Sequence, residues 1–129
     1  EGMLLKPNMV VSGKQCPVQA GAEQVAELTL TCFREAIPAA VPGIVFLSGG
    51  QSDEQATENL NAINSHGAQP WTLSFSYGRA LQAPALKAWG GREENVEAAQ
   101  AALAHRARCN SAAVAGRYSA ELEGLARAT

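Results

Sequence analysis

The chain has 129 residues, 47% hydrophobic and 17% charged, with 10 Lys and Arg against 12 Asp and Glu for a net charge of −2 at pH 7. This composition fits a soluble globular protein able to bury a core of its own; it excludes a disordered chain and a global basic field that recruits nucleic acid, so any anion site has to be local. No apolar run approaches the roughly 18 residues of a membrane span, and the amino terminus lacks the basic, apolar and small-residue order of a secretory leader.

The sequence opens on Glu1 and runs almost at once into a strand over 3–10, as expected of a piece of something longer. A polar loop over 11–21 leads to a helix over 22–37, with Val25, Leu28, Thr29, Cys32 and Ile37 as its apolar stripe and Pro38 as its stop. Pro42-Gly43 announce a second strand over 43–47. Ser52 then stands three residues before Gln55, a capping-box pattern, and starts a helix that runs to Asn64 with Ala56, Leu60 and Ile63 inward and Gly67 as its close. A third strand over 71–77 is followed by a short helix over 83–89, a Gly90-Gly91 break, an alanine-rich helix over 92–115 and a weakly determined tail over 116–129.

Alternation of strand and helix predicts an α/β fold with a parallel sheet and helices outside it. An open doubly wound sheet and a closed (β/α)8 barrel share this local grammar, and in both the active residues lie at the carboxyl ends of the strands. A complete barrel needs roughly 250 residues, about 30 per unit. Residues 1–129 are therefore expected to form one partial TIM barrel domain, the carboxyl-terminal three strand-helix units over 1–115 plus an outer helix, with 116–129 as tail.

Lys6 is the most unusual placement in the chain, a cation inside Leu4-Leu5-Lys6-Pro7-Asn8-Met9-Val10 and locked against a proline. Proline pushes the residue before it toward extended geometry, so Lys6 is expected where a buried strand gives way to a loop. Desolvation or neighbouring cations favour the neutral amine, which attacks carbonyls to form a Schiff base; the alternative is a lysine snorkelling from an apolar stem to solvent. After the second strand, Leu47-Ser48-Gly49-Gly50-Gln51-Ser52 feeds a capped helix. Its glycines and the helix start suit a phosphate, with Ser48 as a hydroxyl donor, and a plain tight turn explains the same residues. After the third strand comes Ser76-Tyr77-Gly78-Arg79, where the Arg79 fork matches phosphate oxygens or, alternatively, forms a surface ion pair. Barrel enzymes frequently build their phosphate site from the loops after their last two strands, which joins these two segments into one reading.

Other candidates are read structurally. His66 and His105 have no evident ligand partner, and Cys16, Cys32 and Cys109 are odd in number with no metal-ligand spacing, so no metal or other cofactor is expected and a reducing compartment fits best. Asp53-Glu54 and Glu93-Glu94 sit where helix starts stabilise negative charge, and Trp71 and Trp89 are read as packing between helix layer and barrel.

Together with Asn59-Leu60-Asn61-Ala62-Ile63-Asn64, Phe75-Ser76-Tyr77-Gly78-Arg79-Ala80-Leu81-Gln82 and Leu86-Lys87-Ala88-Trp89-Gly90-Gly91, the segments around Lys6 and Ser48 closely resemble class I fructose-bisphosphate aldolase in content, order and spacing, up to about Tyr118. The resemblance implies that Lys6 forms the Schiff base with the ketose, that Ser48 and Gly49 belong to the phosphate loop after the seventh strand and Gly78 and Arg79 to that after the eighth, and that Leu47 and Ser76 lie near bound substrate. It implies a metal-free, reversible cleavage of fructose 1,6-bisphosphate to dihydroxyacetone phosphate and glyceraldehyde 3-phosphate, in glycolysis and gluconeogenesis, by a homotetramer in the cytoplasm or alternatively a plastid, with no nucleic-acid or membrane partner. The family's general acid and base carboxylates come from earlier strands absent here, so the chain alone is expected to be inactive. The family's terminal tyrosine is not matched by Glu123-Gly124-Leu125-Ala126-Arg127-Ala128-Thr129, the loop 65–70 is shorter than usual for the family, and 11–22 diverges in detail. The alternative is a non-catalytic phosphate-binding barrel piece acting in binding or assembly, and a metal-dependent aldolase is a weaker third reading.

Overall fold

The computed structural model describes residues 2–124; Glu1 and the last five positions of the expected tail lie outside the described residues. The elements follow in the order β1 (Leu4–Leu5), α1 (Ala22–Ala36), β2 (Gly43–Phe46), α2 (Asp53–Ser65), β3 (Thr72–Phe75), α3 (Arg79–Trp89), a 3-10 turn (Glu93–Asn95), α4 (Val96–Val114) and α5 (Ala120–Gly124). The three strands form one parallel sheet in the order β1-β2-β3, with Leu5 opposite Ile44, Ile44 opposite Leu73 and Phe46 opposite Phe75. Parallel neighbours require crossovers, and α1 and α2 supply them.

The strand over 3–10 contracts to two residues, and that over 71–77 to four. β1 is an edge strand paired on one side, and Pro7 has no N–H to extend the ladder. Its carbonyl still accepts from Leu47 N at 3.0 Å, while Ser76 N donates to the Phe46 carbonyl at 2.8 Å, so the three chains stay in register just past the last strand residues.

Alternation of side chains splits the sheet into two faces. Ile44 and Phe46, both fully buried, and Leu73 lie on the face covered by helices. They pack with Val25, Ala26, Leu30 and Phe33 of α1 and Ala56, Leu60 and Ile63 of α2. Phe33 stacks on Phe46 with ring centroids 5.6 Å apart and meets Trp71 edge-on at 6.2 Å. That cluster sets the rotation of α1, so Leu28 is 46% exposed and Cys32 also faces outward, whereas Ala26, Leu30 and Phe33 take the inward places. Thr29 is buried as expected, and its hydroxyl accepts from Val10 N at 3.0 Å, tying the segment after β1 to α1.

The helix starts divide the same way. At α2, Ser52 Oγ accepts from Gln55 N at 3.1 Å, so the capping pattern forms where the sequence placed it. The helix expected over 83–89 instead begins at Arg79 and runs through Pro84. The Gly78 carbonyl accepts from Leu81 N and Gln82 N, so the first turn is closed before the proline is reached, and the helix tolerates its one missing donor. The alanine-rich helix likewise begins later than expected, at Val96, because Glu93–Asn95 wind as a 3-10 turn. Trp71 is buried with its indole N–H on the Pro38 carbonyl at 2.9 Å, as a packing residue should be, but Trp89 is 42% exposed at the end of α3. His66 is not partnerless either, since its Nε2 lies 2.8 Å from Glu23. Among the described residues, no helix is long and apolar enough to cross a membrane.

Candidate active site

Because the strands are parallel, their carboxyl ends share one edge of the sheet, and the segments with chemistry arrive there together: Lys6 after β1, Leu47–Gly50 after β2 and Ser76–Arg79 after β3. Alternation carried one step past the strand ends puts Lys6, Leu47 and Ser76 on the face opposite the helices, the face of Leu4, Val45 and Ser74. No helix of the described chain covers that face. Leu4 is 63% exposed, and Lys6 is exposed as well. The expectation that Lys6 ends a buried strand is thus corrected: its strand is an uncovered edge, and the groups that would desolvate the amine are not among the described residues.

The turn after β2 is held from both sides. Its first corner is closed by the bond from Gln51 N to the Ser48 carbonyl, 2.9 Å, and its interior takes left-handed conformations at Gly49 (φ +53°) and Gly50 (φ +78°). The Asn8 side chain leans on Gly49 so closely that a Cβ there would lie 2.0 Å from Asn8 Oδ1. The same oxygen accepts from Met9 N at 2.9 Å, which fixes the chain after Lys6 against the turn. Gln51 connects the turn to α2 by accepting from Asn59 Nδ2 at 2.6 Å. Ser48 is 8% exposed, and its hydroxyl bonds to none of the described residues, so it keeps a donor for another group.

Besides Lys6, two further cations stand at this edge without an ion-pair partner among the described residues. Arg79 is the first residue of α3, so its guanidinium and the free N–H groups of that helix start belong to one locality. The surface ion pair offered as its alternative role is not formed with any described residue. Gly78 precedes it at φ −88°, an angle any residue adopts, and a Cβ there meets nothing within 4 Å, so the position is open rather than glycine-dependent. Lys14, which sequence reading passed over, bends back from the loop to put Nζ 3.0 Å from the place a Cβ would occupy on Gly50. Asn8 was likewise seen only as part of a motif. Nothing in their spacing signals this contact, which depends on how the loop over 11–21 folds back.

A second polar cluster forms where α2, α4 and α5 meet. Arg106, 3% exposed, donates from Nη1 to both carboxylate oxygens of Glu123 at 2.6 Å and from Nη2 to the Asp53 carbonyl and Thr57 Oγ1. Tyr118 OH donates to Glu123 Oε1 at 2.7 Å. Burial alone would raise the Glu123 carboxyl, but the hydrogen bonds from Arg106, Tyr118 and His105 outweigh it and hold the group below the usual carboxylate range. Burial likewise opposes the Arg106 charge, and Glu123 more than restores it. His105, read from sequence as lacking a ligand partner, here has Glu123 and Cys109 beside it.

The comparisons with known proteins point one way. The family described as fructose-bisphosphate aldolase class-I matches residues 1–129. A fructose-bisphosphate aldolase of Dictyostelium discoideum is 53% identical over 94% of this chain and 34% of its own length. A cytoplasmic isozyme of Cicer arietinum is 60% identical over 92% of this chain and 33% of its own, and a chloroplastic aldolase of Oryza sativa subsp. japonica is 56% identical over 95% and 31%. Among solved structures, fructose-bisphosphate aldolase from Plasmodium falciparum, in a ternary complex with TRAP and a small-molecule inhibitor, superposes with a TM-score of 0.87 at 52% identity, over 90% of this chain and 33% of that one. The chain spans about a third of the length of the relatives it matches.

Proposed function

This chain belongs to the class-I fructose-bisphosphate aldolase family, and on that premise we propose that it supplies the nucleophile and the phosphate anchor of an aldolase whose remaining strands lie outside it. The observation that carries the reading is the convergence, at one sheet edge, of Lys6 with the Ser48-Gly49-Gly50 turn and the Gly78-Arg79 helix start. The three strand-helix units are the carboxyl-terminal part of a (β/α)8 barrel, residues 1–115 carrying the units and 116–129 the tail. The uncovered face with Lys6 then becomes the barrel interior, and closure supplies the desolvation that this chain does not.

In the reaction, the neutral amine of Lys6 attacks the ketone carbon of fructose 1,6-bisphosphate and water leaves, giving a protonated imine. The C4 hydroxyl then gives its proton to a base from outside this chain, the bond between the third and fourth carbons breaks, its electron pair flows into the imine to form an enamine, and glyceraldehyde 3-phosphate departs. Protonation of the enamine and hydrolysis of the imine release dihydroxyacetone phosphate and return the free amine. Ser48 Oγ, the amides of the Gly49-Gly50 turn, the Gly78-Arg79 amides and the Arg79 guanidinium hold one substrate phosphate throughout. Holding the remote phosphate fixes the carbonyl against the amine and turns an encounter into an oriented reaction. Leu47 and Ser76, on the same face as Lys6, border the sugar. The carboxylates that move protons come from the absent strands, so the 129-residue chain alone is inactive. The parent enzyme is a homotetramer, in the cytoplasm or a plastid; relatives of both locations share this segment.

Borohydride reduction of the intact protein with dihydroxyacetone phosphate tests this reading. Mass analysis should find a stable adduct on Lys6 and none in Lys6→Met. Unmodified Lys6 after reduction, or an adduct on another lysine, overturns it.

A further inference from the structure

The cluster where α4 meets the chain end plays no part in that chemistry, yet it assembles three metal-binding donors. His105 and Cys109 are four residues apart on α4 and so project from one face, with Nε2 and Sγ 3.6 Å apart. Glu123, brought in by α5, places Oε2 3.2 Å from His105 Nε2, and the three donor atoms all lie within 4.8 Å of one another. Cys109 is 2% and His105 9% exposed, and the Glu123 side chain is 15% exposed.

The two separations from His105 match edges of a tetrahedral zinc site, and Sγ and Oε2, within 4.8 Å of each other, would close on the third edge of about 3.6 Å when the ion binds. With Zn–N and Zn–O near 2.0–2.2 Å and Zn–S near 2.3 Å, a tetrahedral angle separates N from S by about 3.6 Å and N from O by about 3.3 Å. The surroundings fit as well. Glu123 Oε1 accepts from Tyr118 OH, and both carboxylate oxygens accept from Arg106 Nη1 at 2.6 Å, which orients the carboxylate so that Oε2 faces His105, the kind of outer hydrogen bonding that fixes a carboxylate ligand. A thiolate and a carboxylate around a divalent ion form a neutral group, leaving the Arg106 charge as the remainder. His105 and Glu123 also line a cavity of about 520 Å³ with Asp53, Arg108 and the alanines of α4, which provides an entry route and room for a water ligand.

We propose that His105 Nε2, Cys109 Sγ and Glu123 Oε2 form a zinc(II) site with a water as fourth ligand, clamping α5 onto α4. Binding exchanges the Cys109 thiol proton, released to solvent, for the metal–sulfur bond.

The test is titration of the chelator-treated intact protein with cadmium(II), read by the thiolate-to-metal charge-transfer absorbance, with zinc(II) affinity measured by competition against a chromophoric chelator. The expected result is a band that saturates at one metal per chain, disappears in Cys109→Ser and persists when the exposed Cys16 and Cys32 are both changed to serine. Glu123→Gln keeps a polar partner for Arg106 and should weaken zinc by at least about 10-fold, as should His105→Ala. Absence of saturable binding, a band that survives Cys109→Ser, or a band that depends on Cys16 and Cys32 overturns the proposal. None of these outcomes bears on Lys6, so the aldolase reading stands or falls separately.

Discussion

Gly49→Ala is the sharpest perturbation of the phosphate turn, because the structure separates its cost into two parts. The backbone part is the left-handed φ of +53°, which costs a residue with a Cβ about 1–2 kcal/mol. The steric part is Asn8: a Cβ at position 49 would lie 2.0 Å from its Oδ1 and 2.5 Å from Cγ and Nδ2, so the amide must swing away. In doing so it gives up the bond from Met9 N at 2.9 Å, a further loss of about 1 kcal/mol. Lower entropy of the unfolded chain returns about 0.4–1 kcal/mol, leaving a net destabilisation of about 1–3 kcal/mol. Asn8→Ala removes the obstacle beforehand, so in the double variant Gly49→Ala should cost only its backbone part, with a coupling of about 1 kcal/mol. Gly50→Ala is the internal contrast. Its Cβ meets only the Lys14 tip, at 2.8 and 3.0 Å, which is free to swing into solvent, so relief of that contact should add little. Urea unfolding of the intact protein at constant m value reads all four variants. A Gly49→Ala loss below about 0.5 kcal/mol, or single costs that add within about 0.5 kcal/mol in the double variant, refutes the account.

Further predictions concern the buried polar groups. Tyr77 is buried with its hydroxyl on the Ala56 carbonyl at 2.8 Å, and burial pushes its phenol well above the ordinary value. The neutral phenol's contribution is therefore present below about pH 10 and lost as pH rises further, where the unfolded chain releases the proton and the folded one does not. Unfolding free energies from urea titrations between pH 9 and 11.5 should fall less steeply for Tyr77→Phe, by up to about 1.4 kcal/mol per pH unit, and equal slopes would refute the assignment. Arg106→Met strands Glu123 in a largely buried position and should cost about 3–5 kcal/mol, whereas Arg106→Met with Glu123→Leu should recover most of it; a double variant no more stable than the single one counts against this account.

What was legible in the sequence followed from local rules. Ser52 and Gln55 gave the α2 start, because a cap is decided within three residues, and Ala56, Leu60 and Ile63 gave its inward stripe. The α1 stripe was partly misplaced at Leu28 and Cys32, since several rotations of that helix bury comparable apolar surface and the Phe33–Phe46 stack selects one. The start of α3 was also placed too late, at 83, where the structure closes a first turn on the Gly78 carbonyl and begins the helix at Arg79. In the candidate site, Lys6, Ser48, Gly49, Gly78 and Arg79 were singled out from their motifs and lie at one sheet edge, but Asn8 against Gly49 and Lys14 over Gly50 were not foreseen, and neither was the meeting of His105 and Cys109 with Glu123.

By itself, the sequence determined the strand-helix alternation, the parallel sheet it implies and the family, because periodicity, caps and motifs are properties of neighbouring residues. The environment of each group was decided only by the tertiary structure. Exposure and partnership depend on surfaces brought together from distant parts of the chain: among the described residues β1 is an uncovered edge and Lys6 is exposed, and α5 folds back on α4, so Arg106, His105 and Glu123 are joined in a buried network.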